Sequence, residues 1–302
     1  MQKNNGLDKN QLISFVIFSA ILMAFMFYFQ NKQSDEKQVA DAKAKTEQKV
    51  ASKTIANNIN ATVNAAAIKN VTVKNKELTL EFASLGGQLS SVEINQYKAY
   101  NAKTDKHDLP LYLIEKNNSS YGFQFKDKTG KTFNTKDLVF VPSVKDNTVT
   151  MTAQVSGATI QYVYELLDNY TLDFNVKTQG LSSIVTDEKA DFHWNYTVRG
   201  MEKGRSQEQT HSEFNYAFDN YGSTDYDTNG FEEPEETLNW LAVKQQFFTS
   251  IIESTNGFTQ TKGTQETIEK GEFLKKFNFD GQVKLAGNEL NQNFKWYFLP
   301  LD

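Results

Sequence analysis

Thr148–Gln179, TVTMTAQVSGATIQYVYELLDNYTLDFNVKTQ, decides the fold class. Val149, Met151, Ala153 and Val155 alternate with Thr150, Thr152 and Gln154. Ile160, Tyr162, Tyr164 and Leu166 repeat the spacing, and Leu172, Phe174 and Val176 are set against Asp173 and Asn175. Successive strand side chains point to opposite faces, so a period of two predicts β-strands with one buried and one wet face. Asp168-Asn169 supplies a turn between two of these runs.

The pattern extends in both directions. Leu78, Leu80 and Phe82 alternate with Thr79 and Glu81, and further strands are predicted at Leu111–Ile114, Tyr121–Lys126, Phe192–Val198, Phe247–Glu253, Lys276–Leu285 and Phe294–Leu299. Turns are predicted at Gly86-Gly87, Lys128-Thr129-Gly130, Asp146-Asn147, Asn256-Gly257 and Gly287-Asn288. Many half-buried strands imply antiparallel sheets packed face to face as a sandwich. No fixed-period repeat points to a propeller or solenoid.

The N-terminal part obeys other rules. Leu12–Phe29, LISFVIFSAILMAFMFYF, carries no charge. At about 1.5 Å per residue it nearly matches a hydrocarbon core of about 30 Å. Leu12, Phe15, Phe18, Leu22, Phe25 and Phe29 are its expected membrane-anchoring residues. A cleavable signal peptide has a shorter apolar region. Lys3 and Lys9 precede the span, and Lys32, Lys37, Lys43 and Lys45 follow it. Charge alone leaves the side of the membrane open, because long domains translocate largely regardless of it. From Gln30 to Glu81 there is no aromatic residue, and such a segment buries too little apolar surface to offset its ordering entropy. The expected organisation is therefore residues 1–11 before the span, the span at 12–29, a polar linker over 30–68 and a β-domain over 69–302.

A net charge of −5 argues against non-specific nucleic-acid binding. The absence of cysteine excludes disulfides, thiolate metal sites and a cysteine nucleophile. There is no G-x-S-x-G elbow, Gly-rich phosphate loop or HExxH. The sharpest local motif is Asp225-Tyr-Asp227-Thr-Asn229-Gly230, with Glu236 completing a calcium-loop spacing. Asp225, Asp227, Asn229 and Glu236, with the Phe231 carbonyl, would supply hard oxygen ligands. Pro234 falls inside the spacing, and residues 201–240 hold ten acidic groups. A solvated acidic loop is the competing expectation.

Three segments carry a resemblance. LDKNQLISFVIFSAILMAFMFYFQ, ELTLEFASLGGQLSSVEINQYKAY (Glu77–Tyr100) and NWLAVKQQFFTSII (Asn239–Ile252) occur in order. Together they resemble the Oxa/YidC-type family of membrane protein insertases, in its Bacteroidetes-like form. The resemblance implies a cytoplasmic N-terminus, a periplasmic domain at the bacterial inner membrane, and a β-supersandwich of the galactose-mutarotase-like kind with a short helical C-terminal portion. It implies insertion and folding of inner-membrane proteins, alone or with the Sec translocon and its accessory subunits, and no catalytic centre. Its partners would be those subunits, nascent inner-membrane proteins and the lipid bilayer. The five-helix insertase core with its basic groove residue is not in these 302 residues, so this portion is expected to act as a scaffold and interaction module. Two rivals follow. A mutarotase-like carbohydrate-active enzyme would use His193 and a carboxylate facing one cleft. A calcium-stabilised anchored binding domain would use the Asp225–Glu236 segment.

Overall fold

The computed structural model describes residues 69–218, 223–227 and 230–301. The expected anchor, Leu12–Phe29, and the expected linker, 30–68, lie outside them. Among the described residues no helix is long and apolar enough to cross a membrane.

Strands β1 (Val71–Lys74), β2 (Leu78–Phe82), β3 (Leu89–Asn101) and β4 (Lys106–Ile114) form one sheet in that order. The larger sheet begins with β5 (Ser119–Lys126), β6 (Thr132–Asn134), β7 (Val141–Lys145), β8 (Thr148–Val155), β9 (Ala158–Leu166), β10 (Thr171–Gln179) and β11 (Lys189–Arg199). Helix α1 (Arg205–Thr210) precedes β12 (Glu213–Phe218), β13 (Ser223–Asp227), β14 (Gly230–Glu233) and β15 (Leu238–Lys244). The chain ends with β16 (Phe248–Thr267), β17 (Phe273–Lys284) and β18 (Asn291–Pro300). The main order is β6-β5-β11-β17-β16-β18-β10-β9-β8-β7. The described pairings are antiparallel, as the alternation predicts.

This path folds into two layers because β16 belongs to both. Its residues 248–254 pair with β18, whereas 262–267 pair with β17. The register shifts between Thr259 and Lys262, and Gln260 takes φ 52°. Bulges of this kind turn sheet corners. The turn expected at Asn256-Gly257 is therefore corrected: a single strand runs through it. Gly257 does adopt φ 72°, and a Cβ there would lie 2.2 Å from Thr237 Cγ2. The positive φ serves a bend within the strand.

Tyr121, Phe123, Phe192 and Trp194 of one layer meet Tyr162, Phe174, Phe294 and Trp296 of the other. Trp194 and Trp296 cross edge-on at 4.9 Å. Such pairs add about 0.5–1.5 kcal/mol each beyond area burial. The four-stranded sheet joins this core through a buried relay. Leu89 N–H donates to Tyr121 Oη (3.1 Å), the Tyr121 and Tyr164 hydroxyls are 2.9 Å apart, and Tyr164 donates to the Gly87 carbonyl (3.0 Å).

Two further expectations are corrected. The described C-terminal residues form β18 and not a helix; α1 stands in the middle of the chain. Residues 201–240 are not one loop, since α1 and β12–β14 occupy much of them.

Candidate functional site

The outer face of β5, β11, β17 and the second half of β16 is polar because Phe192 and Trp194 take the inner face, leaving Asp191, His193 and Asn195 outside. Register sets their partners. His193 Nδ1 lies 2.5 Å from Asp280 Oδ1, with 32% and 55% of the two side chains exposed. Asn195 donates to Asn278 (2.8 Å), which donates to Thr264 Oγ1 (3.2 Å). Gln282 donates to Asp191 (3.0 Å), and Lys262 donates to Glu232 (2.8 Å). That hydrogen bond, with the Glu232 charge, raises the Lys262 pKa.

A groove of about 390 Å³ opens beside this ladder, lined in part by Gln124, Lys126, Asp187, Lys189 and Asp191. His193 is not among its lining residues. Thus His193 has the carboxylate partner that the enzyme rival requires and is not buried, but the pair stands on an open sheet face. Acid–base chemistry on a sugar needs both groups aimed at one bound substrate, and here the carboxylate is directed at the histidine.

A second constellation was not foreseen. The hairpin of β3 and β4 projects beyond its sheet, exposed from Lys103 to Pro110. It is latched at its turn end. Tyr100 N–H donates to the Met201 carbonyl (2.7 Å), His107 Nε2 meets Glu202 (2.7 Å), and Lys203 meets Asp105 (2.7 Å). Hydrogen bonds from Lys203 and Tyr100 lower the Asp105 pKa. Glu208 of α1 fixes the facing loop by accepting the Met201 and Glu202 N–H groups at 2.8 and 3.1 Å. Burial raises the Glu208 pKa, and those two N–H groups oppose the shift. No local spacing signals this latch, since its partners lie far apart in sequence.

The calcium-motif residues are divided between strands. Asp225 faces Tyr216 and Asp227 faces Phe214 along the β12–β13 ladder. Phe231 lies in β14 opposite Gly263, its ring packed on Tyr216 at 4.4 Å. Glu236 is exposed between β14 and β15. Asn229 lies outside the described residues, as do the expected anchor residues. Among the described residues no group of three or more His, Asp or Glu side chains gathers as a metal site.

A two-layer antiparallel sandwich with a polar outer ladder and a latched hairpin defines a β-domain without a convergent catalytic centre among the described residues. The family model for the YidC periplasmic domain matches residues 70–298, and the chain belongs to that family. The membrane protein insertase YidC of Parabacteroides distasonis is 26% identical over 97% of this chain and 52% of its own length. That of Phocaeicola vulgatus is 28% identical over 91% and 47%. The chain spans about half the length of these curated relatives. Among solved structures, the periplasmic domain of Thermotoga maritima YidC is 12% identical with a TM-score of 0.37, covering 80% of this chain and 86% of that one. A galactose mutarotase related enzyme from Lactobacillus acidophilus is 10% identical with a TM-score of 0.46, covering 76% and 97%.

Proposed function

We propose that this chain is the periplasmic portion of a membrane protein insertase at the bacterial inner membrane. Leu12–Phe29 anchors it, with residues 1–11 cytoplasmic, 30–68 a tether and 69–302 the periplasmic domain. The domain is a scaffold and interaction module: it presents the latched β3–β4 hairpin and the polar outer ladder to nascent inner-membrane proteins and to the Sec translocon with its accessory subunits. The observation that carries this reading is the family match over residues 70–298, alongside relatives named as membrane protein insertases. No catalytic role is assigned to any residue. Cross-linking of the natural gene product in its own membrane, followed by mass spectrometry, tests it. Cross-links from the hairpin to Sec subunits or nascent membrane proteins are expected, and digestion of residues 69–302 by protease added to spheroplasts. Cross-links to neither class of partner, or a protease-protected domain, refutes it.

A further inference from the structure

The two outer faces of the sandwich differ. On the layer of β15, β16 and β18 the inner face takes Leu241, Val243, Ile252, Trp296 and Phe298, all buried. The outer positions hold a different set from the polar ladder on the opposite layer. Ala242, Ile251 and Tyr297 stand side by side in register. Trp240 lies one row away in line with Glu253 and Lys295, and Leu299 one row the other way in line with Thr249 and Lys244. Trp240, Ile251, Tyr297 and Leu299 are each half-buried. The band continues to Phe247, 44% exposed, whose carbonyl accepts the Leu301 N–H at 2.8 Å. Tyr97, 37% exposed, lies instead on the inward side of β16, edge-on to Phe248 at 5.2 Å. Apolar side chains thus share this face with Glu253, Lys295 and Lys244, and a cluster of half-buried apolar groups on an outer sheet face marks a contact surface.

We propose that this face rests on the lipid bilayer to which the chain is tethered, with Trp240, Tyr297 and Phe247 at headgroup depth. The inference rests on the proposed anchor at Leu12–Phe29. Three observations favour lipid over a protein partner. Trp and Tyr combine an apolar body with a polar tip, the combination that settles at membrane interfaces. The band lies on a sheet face, outside the groove beside Asp191, so it suits a plane better than an inserted side chain. A flexible chain of about 39 residues, the length from Gln30 to Ile68, has a root-mean-square span of only a few tens of Å. The bilayer is thereby kept at high effective concentration, which lets a weak contact form. Charge adds little: Lys244 is paired with Glu213 at 2.9 Å, Lys295 lies 3.9 Å from Asp173, and Glu253 accepts the Tyr297 hydroxyl at 2.7 Å. Zwitterionic lipid therefore suffices.

The tryptophans supply the test. Trp194 and Trp296 are 1% exposed, Trp240 is half-buried, and the apolar run 12–29 contains no tryptophan. The full chain is reconstituted into phosphatidylcholine vesicles with plain or brominated acyl chains. Flotation reports anchoring, and tryptophan emission reports docking. Brominated lipid is expected to quench part of the emission, the quenched part to be lost in Trp240→Phe, and quenching to fall in Phe247→Ser with the near-UV circular dichroism unchanged. Flotation without bromine quenching overturns docking and leaves the anchor standing. It does so both when aqueous iodide reaches Trp240 and when neither quencher does, the second result meaning that protein covers the face. Failure to float overturns the anchor and the docking together.

Discussion

The hydroxyl relay that ties the four-stranded sheet to the sandwich makes a prediction whose size follows from counting orphaned groups. Leu89 N–H donates to Tyr121, Tyr121 to Tyr164, and Tyr164 to the Gly87 carbonyl. Tyr121 and Tyr164 are 2% and 0% exposed, so a broken link is not repaired by solvent. Burial pushes both hydroxyl pKa values well above the ordinary tyrosine value, and the relay stays protonated across the neutral range. Tyr164→Phe strands two groups, the Gly87 carbonyl and the Tyr121 hydroxyl. At about 1–3 kcal/mol for each buried orphan it costs about 2–6 kcal/mol. Tyr121→Phe strands the Leu89 N–H, at about 1–3 kcal/mol, while Tyr164 still reaches Gly87. The double variant strands Leu89 N–H and the Gly87 carbonyl but no hydroxyl. It is therefore less destabilised than the sum of the singles by one orphan, a coupling of about 1–3 kcal/mol. Urea unfolding of the four proteins in one mild detergent at pH 7 gives the cycle. Amide exchange at Leu89 reports whether the sheet junction loosens. Strict additivity, or a Tyr164→Phe cost no larger than that of Tyr121→Phe, refutes the relay.

Four further outcomes are expected. Gly87 has φ 61°, and a Cβ there would lie 2.7 Å from Phe140 Cγ; Gly87→Ala is expected to cost more than about 1 kcal/mol in urea unfolding, and a neutral substitution refutes the close approach. Burial lowers the pKa of Lys275, whose ammonium donates to the Ser212 carbonyl at 2.7 Å. Its folded value lies below its unfolded value, so the unfolded chain binds more protons between them and stability rises with pH up to about 10.4; Lys275→Met is expected to flatten that limb, and urea midpoints that run parallel for both proteins refute the assignment. If the 225–236 segment takes calcium, millimolar calcium raises the melting temperature and Asp225→Asn abolishes the rise, whereas indifference to calcium and chelator removes calcium from consideration. His193→Gln, in the polar outer ladder proposed to meet partners, is expected to weaken cross-links from this face with the near-UV circular dichroism unchanged, and unaltered cross-linking removes the His193–Asp280 pair from the interface.

The inner face was legible because it obeys one rule. Every apolar position of Ile160–Leu166 and Leu172–Val176 that the period of two assigns inward is buried. What escaped depended on information that strand period does not carry. Asn256-Gly257 signals a positive φ, but a hairpin and a bent strand both use it; the choice between them is made by β17, which takes up β16 beyond the bend. In residues 201–240 the density of carboxylates masked Phe214, Tyr216 and Phe218, which alternate like any other strand and are buried. His193–Asp280 and the latch of His107 and Asp105 to Glu202 and Lys203 depend on register and on loop placement between distant segments, so no local pattern announces them. The outer faces follow a different logic. Folding requires only that they not be buried, and their composition is then free to answer to contact. One layer fills these positions with His193, Asn195, Asn278 and Asp280 in a hydrogen-bonded ladder. The other sets Trp240, Ile251, Tyr297 and Leu299 among Glu253, Lys295 and Lys244. The same alternation generates both sets, and the folding requirement is equally met by either. The alternation therefore does not explain the contrast between them; the proposed contacts, partner proteins on one side and lipid on the other, supply a reason for it.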